Sequence, residues 1–156
     1  MEIDQLPFVD EHVVDLTADA GDAWPVVLEA VDRAFAHRAA TAYARLVRCE
    51  DTDTTGPRPL AEGSTVPGFH VVRLVPGEEL VLAGGHRFSR YALTFRLEPL
   101  GPRRSRLHAE TRAAFPGVVG GWYRRVVIGT GGHGVGMRGM LARIARRVEA
   151  RAAVPA

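Results

Sequence analysis

The sequence contains no lysine, one cysteine (Cys49) and no uncharged apolar run of the about 18 residues that a bilayer span needs. Schiff-base catalysis, Ser–Lys dyads and Walker-type phosphate loops are excluded because all of them need a lysine amine. A single cysteine excludes a disulfide framework and any multi-cysteine zinc or iron–sulfur site. The N-terminal segment MEIDQLPFVDEH is acidic and has no apolar core, so we expect no export signal and a cytoplasmic location.

The charges are unevenly distributed along the chain. Residues 1–62 hold 13 acidic side chains and 5 Arg, a net −8, whereas residues 63–156 hold 5 acidic side chains and 15 Arg, a net +10. Such asymmetry can indicate contact with nucleic acid or a membrane, but in one domain the two halves more often attract each other weakly. The length of 156 residues and the 46% hydrophobic content predict a single globular domain over residues 1–156.

The first third of the chain predicts a strand, a helix and a second strand. Residues 8–16 are rich in β-branched side chains and predict a strand. An apolar stripe at steps of three and four predicts a helix over residues 23–37, with Asp22 as its N-cap. Residues 42–49 alternate and predict another strand, and the polar segment 50–63, with its Gly and Pro residues, predicts a loop.

The middle of the chain predicts antiparallel strands. Strands are expected at residues 68–75, 79–83, 89–97 and 107–115, with Gly84 and Gly85 forming a turn or bulge and residues 99–104 forming another turn. In the last two strands apolar and polar residues alternate, which indicates that one face is buried and the other is exposed to solvent. Parity predicts that the inner face carries Tyr91, Leu93, Phe95, Leu97, Leu107, Ala109, Thr111 and Ala113.

The last third changes to a helical period. Residues 119–151 are predicted to be mostly helical, weakened by the glycines between residues 129 and 136. Its apolar stripe comprises Met137, Met140, Leu141, Ile144 and Val148, and four-residue steps extend it back to His133 and Trp122. The predicted fold class is therefore α+β, with one antiparallel sheet whose inner face is covered by the C-terminal helix.

The segment Gly129–Gly134 matches the G-x-G-x-x-G pattern of dinucleotide-binding folds. A true fingerprint needs a second parallel strand that ends in an acidic residue about 20 positions beyond the glycines. Here an amphipathic helix and a short tail follow, with Glu149 as their only acid, so we expect no nucleotide cofactor.

The order of elements, Asp22-Ala23-Trp24 at the first helix, and the closing stretch GGWYRRVVIGTGGHGVGMRGMLARI resemble the SRPBCC superfamily. This superfamily includes the START and Bet v 1-like helix-grip proteins, polyketide cyclases and many uncharacterised bacterial members. The resemblance implies a curved antiparallel sheet wrapped around a long C-terminal helix, with a cavity between them. Where such proteins often have Pro before the His, this chain has Gly131-Gly132, which implies a softer break.

The candidate ligand-binding residues are those that would face this cavity: Tyr91, Leu93, Phe95, Thr111, Trp122, His133, Met137 and Met140. The alternative is that they simply fill a core. His133 is the best catalytic candidate, as an acid, base or hydrogen-bond donor, unless it only satisfies carbonyls of a broken helix turn. Tyr91 is the second candidate. Arg73 could point inward toward a ligand carboxylate.

No metal site or cofactor is expected, and His86, His108, Glu110 and Arg112 are expected to face solvent. The predicted function is binding of a small hydrophobic ligand, such as a lipid, terpenoid or polyketide-like molecule. The alternative is a cyclase, aromatase or dehydratase that uses the same cavity. A third hypothesis, contact of the Arg-rich last helix with nucleic acid or an anionic membrane, is less favoured. We expect no nucleic acid partner because aromatic residues do not interleave with the Arg cluster. We expect a monomer or a homodimer.

Overall fold

The structure, a computed structural model, describes residues 2–154. After a 3₁₀ turn at Ile3–Gln5, these residues form six strands and four α-helices. In chain order they are β1 (Phe8–Leu16), α1 (Ala20–Phe35), α2 (Arg38–Val47), β2 (Thr65–Val66), β3 (Phe69–Val75), β4 (Glu79–His86), β5 (Ser89–Gly101), β6 (Arg104–Ala114), α3 (Gly117–Val127) and α4 (Gly132–Ala152). None of these helices is both long and apolar enough to cross a membrane.

The strands form one curved antiparallel sheet in the order β1-β6-β5-β4-β3-β2. The alternation predicted for β5 and β6 is confirmed: Leu93, Phe95 and Leu97 are buried on the inner face, whereas Arg96 and Glu98 are exposed on the other. The register places Leu93 opposite Thr111 and Tyr91 opposite Ala113. These two pairs bring four inner-face side chains together on neighbouring strands.

Helices α1 and α4 provide the rest of the core. The predicted stripe of α4 is confirmed, since its members Met137, Met140, Leu141, Ile144 and Val148 are all buried. They join buried residues of α1, such as Val27 and Val31, against the inner face of the sheet. The α+β prediction, a sheet wrapped around the C-terminal helix, is therefore correct.

The strand predicted at residues 42–49 is wrong, because this segment belongs to helix α2. Four of its ten residues are Ala, the strongest helix former, and Ala44 and Val47 bury one helical face at a three-residue spacing. The His37 side chain caps the first turn by accepting the backbone N–H of Ala40. The left-handed backbone of Arg48 ends the helix.

The helix boundaries also differ from the prediction at two places. Helix α1 starts earlier than residue 23, because the Asp19 side chain, and not that of Asp22, caps it by accepting the backbone N–H of Asp22. The mostly helical segment predicted over residues 119–151 is two helices, α3 and α4. Gly131 interrupts the helical backbone between them, because its φ of 76° lies in the left-handed region that favours glycine.

Gly84 and Gly85 lie inside β4 instead of forming a turn or bulge. Gly84 is paired with Tyr91, and the strand continues to His86 before it turns. A Cβ atom at Gly84 would lie 2.0 Å from the carbonyl oxygen of Gly68. Glycine is needed there for a close approach between backbone segments. The second turn is also shorter than predicted, since β5 extends to Gly101 and β6 begins at Arg104.

Candidate ligand-binding site

A cavity of about 300 Å³ lies between the inner face of the sheet and helices α2 and α3. Strands β4, β5 and β6 form its floor, and His133 at the start of α4 completes the wall. Its lining includes no Arg, Asp or Glu. A space with these walls suits a ligand without a formal charge, since a buried charge needs a partner.

Small side chains on two elements leave this space open. Ala40 and Ala44 of α2 face the cavity from one side, and Ala113 of the sheet faces it from the other. The large core residues of α1 and α4 pack against other parts of the sheet, and α1 reaches the cavity only with its last residue, Phe35. The hollow is therefore where the two core helices do not cover the inner face.

Aromatic rings form a continuous part of the cavity wall. Phe69 contacts Phe35, with ring centroids 4.8 Å apart, and Tyr91, with centroids 5.1 Å apart. His86 continues the series, at 5.6 Å from Tyr91 and 4.9 Å from Tyr123. Such tilted and edge-on contacts hold the rings in place and present both faces and edges to a planar ligand.

Tyr91 is anchored by its hydroxyl group, which donates a hydrogen bond to the carbonyl oxygen of Gly68 at 2.9 Å. The Cys49 sulfur lies 3.6 Å from the same hydroxyl. Burial raises the pKa of the Tyr91 phenol far above its ordinary value, and burial also raises the pKa of the Cys49 thiol. Both groups are therefore neutral near pH 7, and Tyr91 does not supply a phenolate base there.

Tyr123 links two helices at the cavity. Its hydroxyl group hydrogen-bonds to that of Tyr43, which joins α3 to α2. Burial, and after it this hydrogen bond, raises the pKa of the Tyr123 phenol, so this group also remains neutral. The link holds two otherwise separate helices over the sheet.

His86 lines the cavity, which corrects the expectation that it faces solvent. Its Nδ1 atom accepts the backbone N–H of Phe88 at 3.1 Å, and burial lowers the pKa of the imidazole. A neutral ring that accepts at Nδ1 carries its proton on Nε2. Among the described residues this Nε2–H has no hydrogen-bond partner. The parity of β4 could have identified His86, because it has the same parity as Leu80 and Leu82, which pair with the inner-face residues Phe95 and Leu93.

The structure places His133 on the cavity wall, with Nε2 3.1 Å from the Thr111 hydroxyl oxygen. The same Nε2 lies 3.4 Å from Oδ1 of Asp10, whose other oxygen is 3.1 Å from Nε2 of His12. Oδ1 is buried and has no hydrogen bond of proper geometry, so this contact is an ion-pair distance only. A hydroxyl–imidazole–carboxylate relay needs both ring nitrogens. This arrangement offers one nitrogen to both groups and is not such a relay.

Four of the predicted ligand-binding residues lie elsewhere. Phe95, Met137 and Met140 are buried in the core and do not line the cavity. Trp122 is 68% exposed on the outside of α3, and its neighbour Tyr123 faces the cavity instead. The reason is the break at Gly129–Gly131, which prevents a helical stripe from being counted backward from α4 into α3. Tyr91, Leu93, Thr111 and His133 do line the cavity.

Other polar candidates lie outside the cavity. Arg73 points outward, with its Nε 2.7 Å from Glu79, so it supplies no inward charge. His108 lies on the outer face of the sheet beside Glu11 and Glu98. Within residues 2–154, no group of three or more His, Cys, Asp and Glu side chains is arranged to hold a metal ion.

No family model matches this chain, and no curated protein matches it by sequence. Its fold is similar to that of norcoclaurine synthase from Thalictrum flavum, solved as a point mutant with a transition-state analogue (TM-score 0.57, 16% identity, 96% of this chain and 100% of that chain). A second structure of that enzyme, in complex with dopamine and hydroxybenzaldehyde, gives a TM-score of 0.53 at 14% identity over 89% of this chain and 84% of that chain.

A third similar structure is DynU16, a putative protein in the dynemicin biosynthetic locus. It gives a TM-score of 0.55 at 16% identity, over 89% of this chain and 46% of that chain. Identities this low establish the fold alone. The resemblance seen in the sequence is confirmed at that level: the chain has the helix-grip fold of the Bet v 1-like proteins and the SRPBCC superfamily.

Proposed function

We propose that this protein binds a compact, uncharged, largely hydrophobic molecule of aromatic, polyketide-like or terpenoid type in the cavity beneath α2 and α3. The observation that carries this proposal is the lining, which is aromatic and apolar and has no Arg, Asp or Glu. The volume is at the low end of the about 300–1,000 Å³ range of ligand pockets. That size favours a compact ring system over a long acyl chain.

One polar feature of the ligand follows from His86. The Tyr91 hydroxyl already donates to Gly68, so its hydrogen is not available. The Nε2–H of His86, which has no partner among the described residues, is one donor that the cavity offers. We therefore favour a ligand with an acceptor oxygen, such as a ketone or a phenol. In the same fold, norcoclaurine synthase has been solved with two aromatic molecules, which supports this class.

The test is a thermal-shift measurement with matched compounds. We expect 2-acetylnaphthalene, an uncharged aromatic ketone, to raise the Tm by roughly 5–10 °C at about 100 times its Kd. The carboxylate of similar size and shape, 2-naphthoate, should give a much smaller shift because no cation in the lining balances its charge. Palmitate tests whether the cavity accepts a long acyl chain, and cholesterol tests whether it accepts a large ring system. Equal shifts for ketone and carboxylate, or no shift with any uncharged aromatic or terpenoid compound, would contradict the proposal.

A second candidate function is catalysis of a cyclase or dehydratase type. The specific observation that favours it is the position of His133, an imidazole on the cavity wall with the Asp10 carboxylate 3.4 Å away. The Thr111 hydroxyl group positions the ring through its hydrogen bond to Nε2, and the ring can transfer a proton to or from a bound molecule. If a bound compound is consumed, His133→Phe should abolish turnover and retain binding. Unchanged turnover in this variant would exclude His133 as the acid or base.

A further inference from the structure

Helix α3 has an outer face that nothing in the described chain covers. Its inner face is occupied, since Gly120 is buried and Tyr123 and Val127 line the cavity. Its outer face is apolar and exposed, and it consists of Val118, Val119, Trp122 and Val126. Val118 is 89% exposed and Trp122 is 68% exposed. The solvent-facing side of a surface helix is normally polar, whereas the solvent-facing side of α3 is apolar.

The four residues form one patch, which we call the α3 stripe. Positions 118, 122 and 126 follow at four-residue steps, and Val119 lies three residues before Trp122, so all four side chains share one side of the helix. Single exposed apolar residues need no explanation, whereas a contiguous patch marks an interaction surface. Trp is also the side chain that prefers the boundary between water and hydrocarbon.

The charge beside the α3 stripe identifies its partner. Arg125 is exposed three residues after Trp122, on the same side of the helix, and makes no salt bridge to any described residue, whereas Arg124 lies on the far side. The whole segment between Glu110 and Glu149 contains seven Arg and no acidic residue. A second copy of this chain would bring these cations together across a symmetric contact, which is unfavourable. A bilayer with anionic headgroups instead supplies a negative surface above an apolar interior.

We propose that α3 docks on the surface of an anionic lipid bilayer. The α3 stripe enters the boundary between headgroups and acyl chains, and Arg125 contacts the lipid phosphates. Because the other face of α3 is a wall of the cavity, docking brings the cavity to the phase in which a hydrophobic ligand is dissolved. The proposal does not depend on ligand binding, and empty protein should dock.

The test is sedimentation of the protein with vesicles of phosphatidylcholine containing 30% phosphatidylserine, compared with pure phosphatidylcholine. The protein should bind the anionic vesicles and lose this binding in high salt. Arg125→Gln should weaken binding about five-fold, and Arg124→Gln, on the far side of the helix, should weaken it less. Trp122→Ser should weaken it about tenfold or more, because the area that this ring can bury is large.

Matched variants on other surfaces provide the controls. Arg103→Gln changes one exposed cation in the β5–β6 turn, and Val13→Ser changes an exposed apolar residue on β1. Both should bind as the wild type does. The structure also offers a direct signal in the unaltered protein. Trp24 is only 6% exposed, so a blue shift of the fluorescence on binding, and quenching by brominated lipid, report Trp122.

Three results would overturn the proposal. The first is no binding of the wild type to anionic vesicles at low salt. The second is binding that the Trp122 and Arg125 variants share equally with the controls. The third is self-association or binding to duplex DNA that takes the place of vesicle binding and depends on the same residues. A failure here leaves the thermal-shift test of the cavity unaffected, so the two proposals can fail separately.

Discussion

The close contact at Gly84 provides a quantitative test of how the cavity wall is built. In the substitution Gly84→Ala, the new methyl group would lie 2.0 Å from the carbonyl oxygen of Gly68 and 2.6 Å from Cε2 of Tyr91. Both distances are too short for atoms that are not bonded, and a backbone carbonyl cannot move aside as easily as the end of a flexible side chain. The segment at Gly68 and the ring of Tyr91 must therefore both shift.

The cost can be assembled from three contributions. Overpacking of a closely packed site costs about 1–3 kcal/mol. The shift also breaks the hydrogen bond from Tyr91 to Gly68, which is worth about 1 kcal/mol. The smaller unfolded-state entropy of alanine offsets about 0.5–1 kcal/mol. We expect a net loss of about 2 kcal/mol in the free energy of unfolding, which lowers the Tm by about 4–8 °C in a domain of this size.

The matched control is the same chemical change in helix α4. Gly136 lies inside this helix, and a Cβ atom there would have no neighbour within 4 Å. Gly136→Ala should therefore raise the stability by about 0.5–1 kcal/mol, because glycine is costly in a helix interior. Urea and thermal unfolding followed by circular dichroism measure both variants. A Gly84→Ala protein as stable as the wild type would refute the account of this wall.

Three further predictions concern the cavity itself. His86→Phe should weaken binding of 2-acetylnaphthalene about 3- to 10-fold and leave that of 2-methylnaphthalene unchanged in calorimetric titration, because only the ketone accepts from Nε2; an equal effect on both compounds would exclude this hydrogen bond. Tyr91→Phe leaves the Gly68 carbonyl without its donor and should lower the free energy of unfolding by about 1–2 kcal/mol in urea titration. Because its pKa is raised, the Cys49 thiol should react with iodoacetamide more slowly than a free cysteine at pH 8, and the reaction should be faster at higher pH. Bound ligand should protect the thiol from this reaction. Labelling as fast as that of a free cysteine would contradict its burial.

The sheet and the last helix could be predicted because they are half-buried elements. In β5 and β6, each inner residue alternates with an outer one, so a period of two assigns Leu93, Phe95 and Thr111 to the inner face directly. In α4 the stripe from Met137 to Val148 has the spacing of one buried helical face. In both cases the environment of each side chain is set by its own element, and local sequence contains that information.

The elements around the cavity could not be predicted equally well. In α2, Ala42, Ala44 and Leu46 alternate with larger side chains in a way that also fits a strand, and only tertiary packing selects the helix. The role of Gly84 depends on Gly68, which is distant in sequence. Tyr123 lines the cavity in place of the predicted Trp122, because the backbone at Gly131 sets the rotation of α3 relative to α4. The site is assembled from contacts between elements, which no local period describes.

Calorimetric titration of 2-acetylnaphthalene into two neighbouring variants tests whether the ligand occupies the cavity at the inner face of β6. Ala113 lines the cavity, whereas Ala114 lies on the opposite face of the same strand. Ala113→Leu places three additional carbons in the cavity and should weaken binding by about tenfold or more, a cost of about 1.4 kcal/mol per factor of ten. Ala114→Leu adds the same carbons to the outer face and should bind as the wild type does. Equal affinity in all three proteins would contradict the account and place the ligand elsewhere.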